Sequence, residues 1–283
     1  MLGDSGIGKL AASILGVALV WIQGCSESPP AKPEADVSEA YHLSHLPAQI
    51  QTALDSIDGA LQSQRVRFTA AQFAVANRLM EEQSTAEMLK KRTLERLTES
   101  AEPGFLDATL EWLRTPRVQQ IMQAGIATES PTGVAQMKGF VDQKQANPPS
   151  EKRLELIERY NRATHLPRLI KATILLSGYG VAIMADAVAP TAERLGPETL
   201  RESVDNRRTL LDPFFMEVSS ITSLFAFRDF SDDEIESFVI FSESAAGKWY
   251  FETTSSVFLD TLEETIANLG PVFVAALRAE PSS

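Results

Sequence analysis

One cysteine, Cys25, stands in 283 residues, so no internal disulfide can staple this chain, and a cysteine nucleophile would need a histidine base within reach. Histidine is almost as scarce: the chain has only His42, His45 and His165. His42 and His45 are three apart, a spacing that can put two metal ligands on one helix face, but no third ligand is indicated nearby and no metal is expected. His45 and His165 each precede Leu-Pro at an expected helix boundary, where a near-left-handed backbone is wanted and histidine is tolerated better than most residues. No serine sits in a glycine-flanked nucleophile elbow. The paired carboxylates Asp232-Asp233 and Glu263-Glu264 are adjacent and so point to different helix faces. No catalytic constellation or cofactor emerges, and an enzyme is not expected.

Positive charge is short as well. Lys and Arg number 26 against 38 Asp and Glu, a formal net charge of −12. That balance argues against nucleic acid and against an electrostatic grip on anionic lipid. From Asp232 onward there are ten acidic residues and two basic ones, Lys248 and Arg278. These acids read either as solvated helix faces or as a docking surface for a basic partner, with Asp232, Asp233 and Glu236 as its contacts.

A hydroxyl is what "GDSGIGKL", residues 3–10, lacks. A phosphate-binding loop ends in Gly-Lys-Ser/Thr and leaves a buried strand. Here Leu10 takes the place of the magnesium ligand, and two residues before Gly3 build no strand, so no nucleotide is expected. The apolar run at 10–22 is too short to span a bilayer but has the length of a secretory h-region, with Lys9 as its positive charge. Its ending, "IQGC", resembles the lipobox of bacterial lipoprotein signal peptides. The resemblance implies cleavage between Gly24 and Cys25, and acylation of the Cys25 thiol. It also implies a place in the cell envelope facing the periplasm, with the outer membrane favoured over the inner because Ser26 is not aspartate. Residues 25–37, rich in proline and charge, are expected to be a solvated tether.

Strand-like alternation is scarce in the remainder, and apolar residues recur at helical spacing. Leu106, Leu110 and Leu113 form one stripe; Val118, Ile121, Met122 and Ile126 form another. A third runs from Val204 through Leu211, Phe214, Phe215, Val218 and Ile221 to Phe225. Capping boxes are predicted at Ser84/Glu87 and Ser231/Glu234, and N-caps at Thr115, Ser130 and Asp212, each before proline. The expected fold is all-α, with ten or more short to medium helices. "YHLSHLP" at 41–47 pairs with "YNRATHLP" at 160–167, and 106–121 pairs with 234–249. A tandem duplication follows, with copies at 38–146 and 147–283.

"FSDDEIESFVIFSESAAGKWY", residues 230–250, resembles the signature of family 2059 of the domains of unknown function. The match is carried by Phe230, Ser231, Phe238, Phe241, Ser244, Ala245, Ala246, Gly247 and Lys248. In the first copy Trp112, Arg114, Thr115 and Pro116 fit, but Arg117 and Val118 replace the Ala-Gly pair. "IERYNRATHLPRLI", residues 157–170, resembles the family's opening helix, with His165 where glycine is commoner. The resemblance implies a helical envelope domain and supplies no activity. The apolar segment 169–189 reads as a central core helix, or as a groove opened by Ser177, Gly178 and Gly180. Two functions remain: a membrane-anchored protein-interaction or assembly module, and a carrier of a lipid or other apolar ligand in a pocket between the copies, lined by Tyr179 and Met184.

Overall fold

The computed structural model describes residues 34–279. Gly24, Cys25, the signal-peptide segment and the first part of the tether lie outside the described residues. The first helix, α1 (Glu34–Leu43), puts Glu34 and Asp36 in its opening turn, where carboxylates suit the amide dipoles, and buries Val37, Ala40 and Tyr41. The chain is thus already helical at Glu34, ahead of the residue-37 boundary expected for the tether.

Every regular element among the described residues is helical. After α1 come α2 (Leu46–Ser63), a 3-10 turn (Arg65–Arg67), α3 (Ala70–Gln83), α4 (Ala86–Glu99), α5 (Pro103–Leu113) and α6 (Pro116–Glu129). Helix α7 (Pro131–Ala146) then leads to α8 (Glu151–Ala163), α9 (Leu166–Val188), a second 3-10 turn (Thr191–Glu193), α10 (Gly196–Arg208), α11 (Asp212–Ala226), α12 (Asp232–Glu243) and α13 (Ala245–Ala279). On either side of α7 the order is the same: two helices, a 3-10 turn, four helices. The neighbours run in parallel too. Helix α1 packs on α4 and α5 as α8 packs on α11 and α12, and α2 packs on α4 as α9 packs on α11. The last helix of each series crosses over, α6 onto α11 and α13 onto α4. Helix starts align Thr115 with Ser244, one residue on from the pairing read from apolar pattern.

Local signals account for most of the boundaries. Ser231 and Glu234 form the reciprocal capping box, and the Ser130 hydroxyl accepts from the Gly133 amide at 3.0 Å. Thr115 occupies the N-cap of α6 without a side-chain cap bond. Two expected caps move. At α4 the cap is Thr85, whose Oγ1 accepts from Met88 N at 3.2 Å, while Ser84 ends α3. At α11 the cap is Leu211, so Asp212 and Pro213 are the first two helical residues, and the freed Asp212 carboxylate pairs with Lys171. The long stripe from Val204 to Phe225 is consequently broken: Phe215 and Phe225 are buried, whereas Phe214 at the α10–α11 corner is exposed.

Two apolar clusters form the core, and each draws side chains from both sides of α7. The larger includes Ile50, Leu110, Leu113, Ile157, Leu224 and Leu262; the smaller joins Leu61, Phe68 and Leu79 to Val181, Met184 and Phe273. The described residues therefore make one compact unit rather than two separately cored domains. Helix α9 lies at its centre against α2, α10, α11 and α13. It is long and apolar enough to cross a membrane, yet 56% of its most apolar window is buried against the rest of the protein. Its packing on α13 is reciprocal: a methyl at Gly180 would lie 3.0 Å from Ile266 Cγ2, and one at Gly270 would lie 2.1 Å from Ile183 Cγ2. Segment 169–189 is thus the central core helix, and at Gly180 the alternative of an open groove gives way to a helix of the same chain.

Candidate ligand cavity

The acids singled out as partner contacts are engaged within the fold. Arg153, near the start of α8, donates from Nε to Asp232 at 2.5 Å, from Nη1 to Phe227 O at 3.0 Å and from Nη2 to Phe230 O at 2.7 Å. Lys152 lies 3.4 Å from Asp233 and 3.6 Å from Glu236. Further on, Arg117 pairs with Glu234, Arg159 with Glu243, Arg96 with Asp260 and Glu264, and Arg201 with Glu263. The hydrogen bond from Arg159 holds the Glu243 carboxyl below its usual range. Eight of the ten acids from Asp232 onward thus meet a basic side chain of an earlier helix. The acidic segment binds the chain to itself and leaves no unpaired patch at Asp232, Asp233 and Glu236.

Tyr179 and Met184 are buried, but they line another part of the core. The Tyr179 hydroxyl donates to Pro197 O at 3.3 Å and Arg201 lies over its ring, while Met184 is enclosed with Phe273 and the apolar face of α3. The part of α9 that does meet a cavity is its first half, Leu166 to Ile174. Met184 is ten residues further along, about 15 Å at helical rise.

That cavity, about 270 Å³, lies among α2, α6, α8, α9 and α11. Its two walls differ in chemistry. Leu169, Ile170 and Ile174 of α9, with Val218 and Ala226 of α11, make an apolar wall. His45, Gln49, Thr52 and Ser56 make a polar one, a stripe at i, i+4, i+7 and i+11 along α2, backed by Thr128 and Glu129 from the end of α6. Ile174, one of the lining residues, is 50% exposed, so the cavity opens to solvent there; Phe214, one turn before Val218 on α11, is also exposed.

Glu129 is the centre of the polar wall. Its Oε1 lies 3.3 Å from His45 Nε2, and its Oε2 accepts from the Thr52 hydroxyl. His45 Nε2 stands off the hydrogen-bond axis, so that contact is electrostatic more than directional. Burial pushes the Glu129 carboxyl up, but the side chain and charge of His45 together with the Thr52 hydroxyl outweigh burial and hold it below its ordinary range. The neighbouring Tyr160 phenol is pushed up to about 12 by burial and stays neutral at physiological pH. The imidazole fits because Gly125 faces it: a methyl there would lie 3.2 Å from His45 Cε1.

Known protein families, curated proteins and solved structures contain no match to this chain. The cavity must therefore be read from its own chemistry. His45 caps α2 in the right-handed region (φ −79°), against the expectation of a left-handed turn, whereas His165 adopts that turn at φ 56°. His42 is exposed in the last turn of α1, so the two histidines do not share a helix face. The polar stripe on α2 was open to detection in the sequence, as His-x3-Gln-x2-Thr-x3-Ser interleaved with Leu46, Ile50, Ala53 and Ile57. Glu129 was not, because it stands 84 residues from His45.

Proposed function

We propose that the helical body binds a small amphipathic ligand in this cavity, and that an acylated Cys25 tethers it to a bacterial envelope membrane, facing the periplasm and more readily at the outer membrane. The observation that supports the binding reading is the two-walled cavity: apolar side chains of α9 and α11 opposite the hydrogen-bonding stripe of α2 and Glu129. Ligand sites are concave and mostly apolar, with a few placed polar groups, and this one is near the lower end of their usual ~300–1,000 Å³. Carriage of an apolar ligand between the two halves of the chain fits this geometry better than docking through Asp232, Asp233 and Glu236, whose charges are already partnered. Native mass spectrometry of the chain starting at Ser26 should show a co-purified small molecule that leaves on denaturation. A clean apo mass, with no uptake of added single-chain amphiphiles, would remove the reading. For the anchor, labelled palmitate should enter the wild-type chain and not Cys25→Ser.

A second reading, a protein-interaction or assembly module, rests on the exposed Leu210 and Phe214 at the α10–α11 corner. Cross-linking in the envelope should then lose a partner with Phe214→Asp. The same proposal keeps the kinship of residues 230–250 with family 2059, in which the aromatic face of α12 has a concrete task. Phe241 stacks on Trp112 of α5 with centroids 4.0 Å apart, and Phe238 meets the same ring edge-on at 4.8 Å.

A further inference from the structure

Building on the ligand reading above, we infer that the cavity selects a single-chain amphiphile whose head donates hydrogen bonds, an alcohol or an amine, and rejects the matching carboxylate. The cavity offers acceptors because the hydroxyl protons of Thr52, Ser56, Thr128 and Ser223, all of which line it, are already committed. Ser56 donates to Thr52 O at 2.7 Å, Thr128 to Gly125 O at 2.7 Å and Ser223 to the Asn161 side chain at 2.7 Å, while Thr52 donates to Glu129. Each hydroxyl that gives its proton away keeps lone pairs, and a carboxylate that has taken Thr52 and faces His45 retains further acceptor sites. Gln49 contributes one amide that can serve either way.

Charge points the same way as the lone pairs. Among the described residues lining the cavity there is no lysine or arginine, and His45, its one basic side chain, is held against Glu129. Lys171, on the same stretch of α9, reaches instead to Asp212 and to Arg208 O. A fatty carboxylate would bring a second negative charge beside Glu129 and a head that can only accept. An alcohol or ammonium head donates to Glu129 and leaves the His45 contact in place. A cavity of about 270 Å³, near the lower end of small-ligand sites, makes a short single chain of about eight carbons the fitting probe.

Calorimetric titration of the chain starting at Ser26 at pH 7.5 with 1-octanol, octylamine and octanoate tests this directly. Octanol and octylamine are expected to bind at least tenfold tighter than octanoate. A merely greasy pocket would reject both ions alike, so octylamine falling to the level of octanoate overturns the inference, as does octanoate equalling octanol. In Glu129→Gln, with its fold checked by circular dichroism, the octylamine-to-octanoate ratio should fall to within about threefold; an unchanged ratio removes Glu129 as the selecting group. Binding by none of the three overturns the cavity reading itself and this inference with it.

Discussion

At the scale of single residues, Arg153 carries more of the fold than any one carboxylate it meets. Its side chain is only 19% exposed, and its guanidinium joins Asp232 to two carbonyls at the end of α11 and the turn beyond. Charge-assisted hydrogen bonds with little solvent are the strong ones, and removing one partner strands the others. Arg153→Ala is expected to cost about 2–4 kcal/mol in urea unfolding, with Arg153→Lys recovering only part, because an ammonium cannot span three acceptors. Lys152→Ala should move the midpoint little, since its carboxylate partners are largely in water. Glu129 gives a pH signature. Its pKa is lowered on folding, so its contribution to stability is present above the unfolded value of about 4.5 and is lost as pH falls through the lower folded value. Glu129→Gln should thus be less stable than wild type at pH 7, and the gap should close in thermal melts taken progressively below pH 4.5. Neither role could be read from sequence. Composition shows that the chain is acidic from Asp232 onward, but the arginines that answer those acids lie on α4, α6, α8 and α10, brought near only by folding. The Ser231 capping box was legible because donor and acceptor are three residues apart.

At the scale of helices, the glycines of α9 and α13 answer opposite questions. Gly178 has open space where a Cβ would stand, whereas Gly270 abuts Ile183 and Gly180 abuts Ile266. Gly178→Ala should therefore stabilise by up to about 1 kcal/mol through helix propensity alone. Gly270→Ala must displace a branched side chain in a packed core and should cost about 1–3 kcal/mol. Ile183→Ala is destabilising by itself through the cavity it leaves, but combined with Gly270→Ala the losses should sum to less than their parts, as residues in contact do. Denaturant midpoints of the four chains decide it; strict additivity would mean that the two helices do not meet as closely as described. Apolar periodicity announced α5, α6 and α9 because each faces the core along one stripe. The same signal ran α10 and α11 together, since it does not register a chain reversal when the residues on both sides are apolar.

At the scale of the whole molecule, the recurring order of elements and the sharing of the core pull in different directions. The order, two helices, a 3-10 turn and four helices, recurs on each side of α7, and "HLP" stands at the heads of both α2 and α9. Yet α13 packs on α3, α4 and α5, α6 packs on α11, and α2 lies along α9. Neither half retains a closed core when the other is removed: Leu61, Phe68 and Leu79 would lose Val181, Met184 and Phe273, and Trp112 would lose its stacking partner. A side chain such as Leu or Phe loses about 1.5–3 kcal/mol when its burial is undone, and a single domain has only about 5–15 kcal/mol in hand. The chain is therefore expected to unfold in one transition, with coincident midpoints by far-ultraviolet circular dichroism and by tryptophan fluorescence. Fragments 34–146 and 147–279, expressed separately, should each show exposed apolar surface by dye binding and poorly dispersed amide spectra, and mixing them should restore at least part of the native signal. Two well-dispersed, independently melting fragments would show instead that each half has a core of its own, and the ligand cavity would then lie between two domains free to separate.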